Sequence, residues 1–444
     1  MDPAQPGATG HPTQGSPPPA ASAATDTAAD PQRTRPGPRG RWRLGPGMII
    51  TASFVGPGTI TTATVTGSSY GFALLWTVAF SIVATVVLQE MSARLGVVTR
   101  EGLGEALRTT FAHPVARSAL LLLVIAAIGI GGASYAGGDT TGTALGLATL
   151  TGLPQPVVVV LTGLVVLALL ATGSYRSLEA LLGLLVVLMS AVFVLTAVLA
   201  SPDWSALLTG LVVPTIPAGA LLSAVALIGT TVVPYNLFLH ANLVQEKWSA
   251  DEPTATALTE ARRDTTVSIA VGGLITVAIM STAAGTLFTE GITAESSAAM
   301  ARQLEPVLGP AAPYVFALGL AAAGLTSAIA GPLGAAYAIS STAGWSTRLK
   351  SRRFQAIWAA VVVIGVAIAL TGIEPVAIIV TAQAANGLLL PVVAVALLIV
   401  MNRRGLLGAY RNGVAANVLG VLVVAVVIGL GAYQLADLAG LLPG

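Results

Sequence analysis

Residues 53–64 read SFVGPGTITTAT and residues 226–245 read ALIGTTVVPYNLFLHANLVQ, two apolar runs each interrupted by a proline and studded with hydroxyl and amide side chains. A proline inside a helix removes one hydrogen bond and leaves a backbone carbonyl without its donor. In lipid such a group is costly unless protein or a watery cavity satisfies it. Each break is therefore either a packing kink or half of a binding site. Gly56, Pro57, Gly58 and Thr59 mark the first break, and Thr230, Thr231, Val233, Pro234, Tyr235 and Asn236 the second. The donors on offer are neutral oxygens: hydroxyls, an amide, a phenol and freed carbonyls. The half-helix N-termini beside the breaks add partial positive charge, which suits an anionic group.

Two ionisable residues stand out against this neutral background. Asp139, in SYAGGDTTGTALGLATL, is the one acidic residue placed well inside an apolar run. An intramembrane carboxylate is a functional candidate by default, here for a proton path. The alternative is a structural Asp hydrogen-bonded among Thr140, Thr141 and Thr143. His240, six residues after Pro234, is either a proton carrier or a neutral imidazole bonded to a backbone carbonyl. Thr59, Thr62 and Thr66 repeat at i, i+3 and i+7 and so share one helix face, although membrane threonines often bond back to their own helix. Glu90 and Arg94, four apart, read as an interfacial ion pair, and Arg352 and Arg353 as interface anchors.

The elements that must position these residues are membrane helices. The chain of 444 residues is 55% hydrophobic and 9% charged, with a mean hydropathy of +0.84, which excludes a soluble enzyme and gives an all-α polytopic membrane protein. It has no cysteine, so thiolate metal sites and Cys nucleophiles are excluded too. Residues 1–43 are rich in Pro, Ala, Gly, Ser and Thr and read as a disordered cytoplasmic tail without a signal peptide. Apolar runs long enough to span begin near residues 47, 72, 117, 155, 178, 213, 266, 312, 354, 375 and 413.

With the N-terminus inside, every Lys and Arg except Arg302 falls on the cytoplasmic side, as the positive-inside rule requires, and the C-terminus lies outside. An even number of spans would put one basic loop on the wrong side. Spans 1–5 (44–200) and 6–10 (201–401) then form two repeats, followed by an eleventh span in 402–444. An odd number of spans per repeat inverts the second relative to the first. Each break falls in the first helix of its half, the pattern of an inverted-repeat secondary transporter with its substrate at the midplane. The lipid bilayer is the expected partner, and no nucleic acid is.

Long ordered stretches carry a family resemblance: GPGTITTATVTGSSYGFALLWTVAF, LQEMSARLGVVTREGLGEALR, VPYNLFLHANLVQ, EPVLGPAAPYVFALGLAAAGLTSAIAGPLGAAY and IEPVAIIVTAQAANGLLLPVVAVALLIV. Over about residues 45–435 the chain resembles the natural resistance-associated macrophage protein (Nramp) family of proton-linked divalent metal transporters. The resemblance implies a LeuT-type fold, two inverted five-helix repeats plus an eleventh span, in a cell (inner) membrane. It also implies metal-facing backbone carbonyls at Ser53 and Thr230 and a side-chain ligand at Gln383.

The side-chain ligands of the family signature are altered. Its Asp-Pro-Gly-Asn stands here as Gly56-Pro57-Gly58-Thr59, and its Met-Pro-His as Val233-Pro234-Tyr235. The family's acidic pair on span 3 falls on Ala136 and Asp139, and its span 6 histidine on His240. What remains as metal donors is Thr59, Thr230 and Gln383, all hard and neutral, with the soft thioether gone. The substrate site is thus expected around Ser53, Gly56, Thr59, Thr230, Val233, Tyr235 and Gln383. Its cargo is expected to be a divalent cation of magnesium or manganese type, with proton coupling. A small organic or amino-acid-like solute, and a non-transporting sensor on the same fold, are the alternatives. No resident cofactor is expected.

Overall fold

A computed structural model describes residues 45–438 except 111–112, 174–175 and 201–202. The expected disordered tail, residues 1–43, lies outside the described residues. Among the described residues every regular element is helical. The first span is a bent pair, α1 (Pro46–Phe54) and α2 (Pro57–Tyr70), with 54° between them. There follow α3 (Leu75–Thr99), the short α4 (Leu103–Thr110), α5 (Pro114–Thr151), α6 (Gln155–Thr172) and α7 (Arg176–Leu199). A nine-residue helix α8 (Trp204–Val212) leads to the second broken span, α9 (Leu221–Thr231) and α10 (Pro234–Lys247). Then come α11 (Thr254–Ala283), the short α12 (Ser297–Ala301) and α13 (Glu305–Leu308), α14 (Ala312–Ala343), α15 (Arg352–Ala369), α16 (Pro375–Met401), α17 (Arg404–Leu407) and α18 (Val414–Leu438). Among the described residues 10 helices are long and apolar enough to cross a membrane, and the bent pair counted as one span makes 11.

Where the span starts differ from expectation, local chemistry explains it. The sixth begins at Leu221 rather than near 213, because Pro214 and Pro217 interrupt the apolar run and hand its first part to α8. Asp203 caps α8, accepting from the Ser205 hydroxyl at 2.6 Å and from the amides of Ser205 and Ala206 at 2.9 and 3.1 Å. These bonds, the serine hydroxyl foremost, hold its carboxyl below the usual carboxylate range. The seventh span begins at Thr254 rather than near 266, because a polar amphipathic turn extends it before the apolar run.

The Glu90–Arg94 pair forms at 3.1 Å and belongs to a wider clamp. Arg262 on α11 reaches Glu90 at 2.8 Å, while Arg94 also donates to the Tyr410 carbonyl at 3.1 Å and to Asn412 Oδ1 at 2.7 Å. One ion pair thus ties α3 to α11 and to the turn before α18. Arg353 lies over the Trp345 ring, 5.3 Å from its centroid, consistent with anchoring at an interface.

Lipid gives helices no hydrophobic reason to associate, so close packing through small residues must do it. A tight example joins α16 to α9, the helix that ends at the second break. A Cβ on Gly229 would penetrate the Gln383 carbonyl oxygen, and one on Gly387 would lie 2.6 Å from the Val225 carbonyl oxygen. Both obstacles are backbone, which cannot swing aside. We expect Gly229→Val to destabilise the protein by at least about 1–3 kcal/mol, the usual penalty for overpacking. A lowered midpoint of thermal unfolding in detergent checks this, and an unchanged midpoint would mean that α9 and α16 can separate freely.

Candidate functional site

Both breaks arise by one device. The amide that normally donates to the Ser53 carbonyl belongs to residue 57, and that for Thr230 to residue 234; both are proline and have no N–H. The chain is helical on either side, with Val55 and Gly56 unwound in one span and Val232 and Val233 in the other. Two neighbouring carbonyls are recaptured by side chains. Thr59 Oγ1 donates a short hydrogen bond to the Phe54 carbonyl, and Asn386 Nδ2 donates to the Gly229 carbonyl at 3.1 Å.

The two breaks meet. Thr59 Oγ1 and Thr230 Oγ1 are 2.8 Å apart. Because the Thr59 proton is directed at Phe54, Thr230 is the donor in that pair. Asn236 Nδ2 donates to Ser53 Oγ at 2.6 Å, and Ser53 Oγ donates to the Ile50 carbonyl at 2.9 Å. Two hydrogen bonds therefore cross from the first broken span to the second. Gln383 on α16 lies against the same junction, since a Cβ on Gly58 would collide with its amide and its own carbonyl abuts Gly229.

Several polar atoms here have no hydrogen-bond partner although they are buried. They include both amide atoms of Gln383, Asn236 Oδ1, the hydroxyls of Tyr135 and Tyr235, Asp139 Oδ1, His240 Nε2 and the hydroxyls of Thr62 and Thr66. Buried orphans of this kind are rare in native proteins and each costs about 1–3 kcal/mol. Others lie elsewhere in the bundle, Thr265, Gln303 and Gln434 among them, but those of Gln383, Asn236, Tyr235 and Asp139 gather beside the breaks, where a polar guest could partner them.

The sequence-derived residues divide clearly. Ser53, Gly56, Thr59, Thr230, Val233, Tyr235 and Gln383 all lie buried at or beside the junction; Val233 is the residue preceding α10 and offers backbone rather than side-chain chemistry. Tyr235 packs edge-on to Tyr135, ring centroids 5.9 Å apart. Asp139 is not held by its threonine neighbours: Thr141 and Thr143 bond back to the carbonyls of Gly137 and Asp139. Its carboxylate instead accepts from Ser327 Oγ on α14 at 2.6 Å. His240 Nδ1 meets Gln89 Oε1 on α3 at 2.9 Å, a side chain rather than a backbone carbonyl.

Sequence reasoning missed Ser327, Tyr135, Gln89 and Asn386. Tyr135 precedes Asp139 by one helical turn, which is a usable signal; the other three become visible only when distant spans pack. Among the described residues no three His, Cys, Asp or Glu side chains gather into a metal site, and Asp139 is the one buried carboxylate. The non-glycine site residues, with Asp139 and His240, are 0–3% exposed. A recess of about 590 Å³ lined by Tyr70, Phe72, Ala200, Thr209 and Phe288 contains none of them. The junction is therefore occluded, and access requires helices to move.

The family model described as natural resistance-associated macrophage protein-like matches residues 47–437. The chain is 31% identical over 406 residues to the divalent metal cation transporter MntH of Verminephrobacter eiseniae, covering 90% of each. Among solved structures it is similar to the Eremococcus coleocola manganese transporter, with a TM-score of 0.69, 22% identity and coverage of 90% of this chain and 88% of that one. It is also similar in fold to Mhp1, a nucleobase-cation-symport-1 family transporter, with a TM-score of 0.56, 14% identity and coverage of 89% and 93%.

The orphaned amide of Gln383 yields a stability test. Gln383→Met keeps the volume and removes two buried unpaired polar atoms, so we expect it to raise the unfolding free energy of the substrate-free protein by about 1–3 kcal/mol. Chemical or thermal unfolding in detergent reads this directly. A loss of stability would mean that the amide is satisfied in solution.

Proposed function

The chain belongs to the Nramp family, and from that membership we propose that it is a secondary active transporter carrying a divalent metal cation across a bacterial inner membrane by alternating access. The observation that carries the reading is the 2.8 Å contact of Thr59 with Thr230, which joins two proline-broken spans beside the unpaired amide of Gln383. A cation lodged there would meet Thr59, Thr230, Gln383 and the carbonyls of Ser53 and Thr230. All are hard oxygen donors, suited to a magnesium-like or manganese-like ion that keeps some of its water. Tyr235 covers one side. In this reading the N-terminus is cytoplasmic and the C-terminus outside, an orientation that the distribution of Lys and Arg supports.

Transport is coupled to protons in this reading, with Asp139 and His240 as the two side chains near the junction able to exchange one. His240 bridges the second broken span to α3 through Gln89, so its protonation would alter a contact between moving parts.

Proteoliposome flux tests the function. Saturable uptake of Mn²⁺ or Mg²⁺, each competing with the other, is expected; uptake of amino or organic acids from a parallel panel with no divalent flux would overturn the assignment. For coupling, His240→Gln is expected to reduce lumenal acidification during uptake more than it reduces uptake itself. Equal acidification per ion in the variant and the parent would remove His240 from the proton path.

A further inference from the structure

We propose that Asp139 on α5 is a direct ligand of the transported cation, supplying from the third span the negative charge that the first span lacks. The inference rests on the transport reading above and names the residue that makes a divalent cargo affordable.

The geometry starts at Gly56. Its backbone is extended, with φ of −104° and ψ of −172°, a conformation open to any residue. The chain therefore does not require glycine there, and a side chain would be tight but would need its neighbours to give by only a few tenths of an ångström. A Cβ on Gly56 would lie 3.2 Å from Ser327 Oγ and 3.8 Å from Asp139 Oδ1. The volume that a side chain at position 56 would enter is the volume that the Asp139 carboxylate faces. A carboxylate approaches the unwound segment from α5 instead of growing out of it.

The carboxylate is also set up as a ligand. Oδ2 is fixed by the Ser327 hydroxyl at 2.6 Å, whereas Oδ1, on the Gly56 side, has no partner. One oxygen oriented by an outer hydrogen bond and the other left free is how proteins aim ligating carboxylates. A purely structural Asp would use both. A Cβ on Gly331 would lie 3.5 Å from the Tyr235 hydroxyl and 3.8 Å from Asp139 Oδ2, so the unpaired phenol is near the same carboxylate on its Oδ2 side. Asp139 is the only fully buried acidic residue among the described residues, so no other carboxylate competes for this role.

The resulting donor set is one carboxylate with hydroxyls, an amide, carbonyls and a phenol. It contains neither thioether nor thiolate. Such a set favours hard divalent ions such as Mg²⁺ and Mn²⁺ over a soft one such as Cd²⁺.

The test measures binding without any proton gradient, by calorimetry of the purified full-length protein in detergent with MnCl₂, MgCl₂ and CdCl₂. Asp139→Asn is expected to weaken Mn²⁺ binding at least about tenfold while leaving the melting profile intact. The double variant Gly56→Asp with Asp139→Ala, which returns the carboxylate to the unwound segment, is expected to recover most of that loss. Mn²⁺ binding within about twofold of the parent in Asp139→Asn would overturn the inference, even if acidification during uptake were lost, because Asp139 would then be a relay and not a ligand. Should Asp139→Asn not fold, a folded double variant that binds supports the inference and one that does not bind overturns it. A parent protein that binds none of the three ions would overturn the transport reading itself, and the assignment of Asp139 with it.

Discussion

Two backbone carbonyls, those of Ser53 and Thr230, lose their helical donors to proline in the middle of a membrane, and the rest of the molecule is arranged to make that tolerable. Ser53 and Thr230 are buried, away from bulk solvent. The neighbouring carbonyls of Phe54 and Gly229 are recaptured by Thr59 and by Asn386, each of which belongs to a different helix from the group it satisfies. Local failure of the helix is thereby turned into contact between helices. The Thr59–Thr230 and Ser53–Asn236 bonds extend the same logic across the two halves of the chain. A break that served only to bend a helix would not need a partner break at hydrogen-bonding distance.

Such recapture works only if the helices come very close. The glycine contacts between α9 and α16 bring backbone against backbone, and they set Gln383 and Asn386 against the same carbonyl-bearing turn. Packing and polarity are therefore one design. The small residues permit the approach, and the approach lets side chains from α16 serve or await groups at the broken end of α9. Farther along α3, Arg94 and Glu90 do the complementary task with charge, fastening α3 to α11 and to the turn before α18.

Spans and breaks were legible because they follow from local composition: apolar length gives the span, proline gives the break, and the placement of Lys and Arg gives the parity. The start of the sixth span was misplaced for an equally local reason, since an apolar run crossing Pro214 and Pro217 cannot be one helix. The junction of Thr59, Thr230 and Gln383 was legible only through resemblance and paired breaks. The carboxylate's partner was not legible at all. Ser327 is 188 residues from Asp139, in a helix whose sequence offers many small residues of similar standing, and only packing of α5 against α14 selects it. Nearby threonines were the more obvious partners on paper, but in a helix their hydroxyls reach their own preceding carbonyls more readily than a neighbour's carboxylate.

The unpaired atoms at the junction bear on why this site can be both closed and functional. A protein selected only for stability would replace Gln383 or Tyr235 with an apolar residue of similar size, since a buried polar group without a partner is among the larger single penalties a fold can carry. Keeping several of them together, in a structure otherwise careful to recapture freed carbonyls, makes sense if a guest supplies the missing partners. Water or a partly hydrated ion could meet a hydroxyl, an amide and a carboxylate oxygen at once, and the closed state would then be stabilised by its cargo more than by its own contacts. Occlusion and binding become the same event. Differential stabilisation of this kind is what a ligand must provide if it is to shift a protein between states that open to opposite sides.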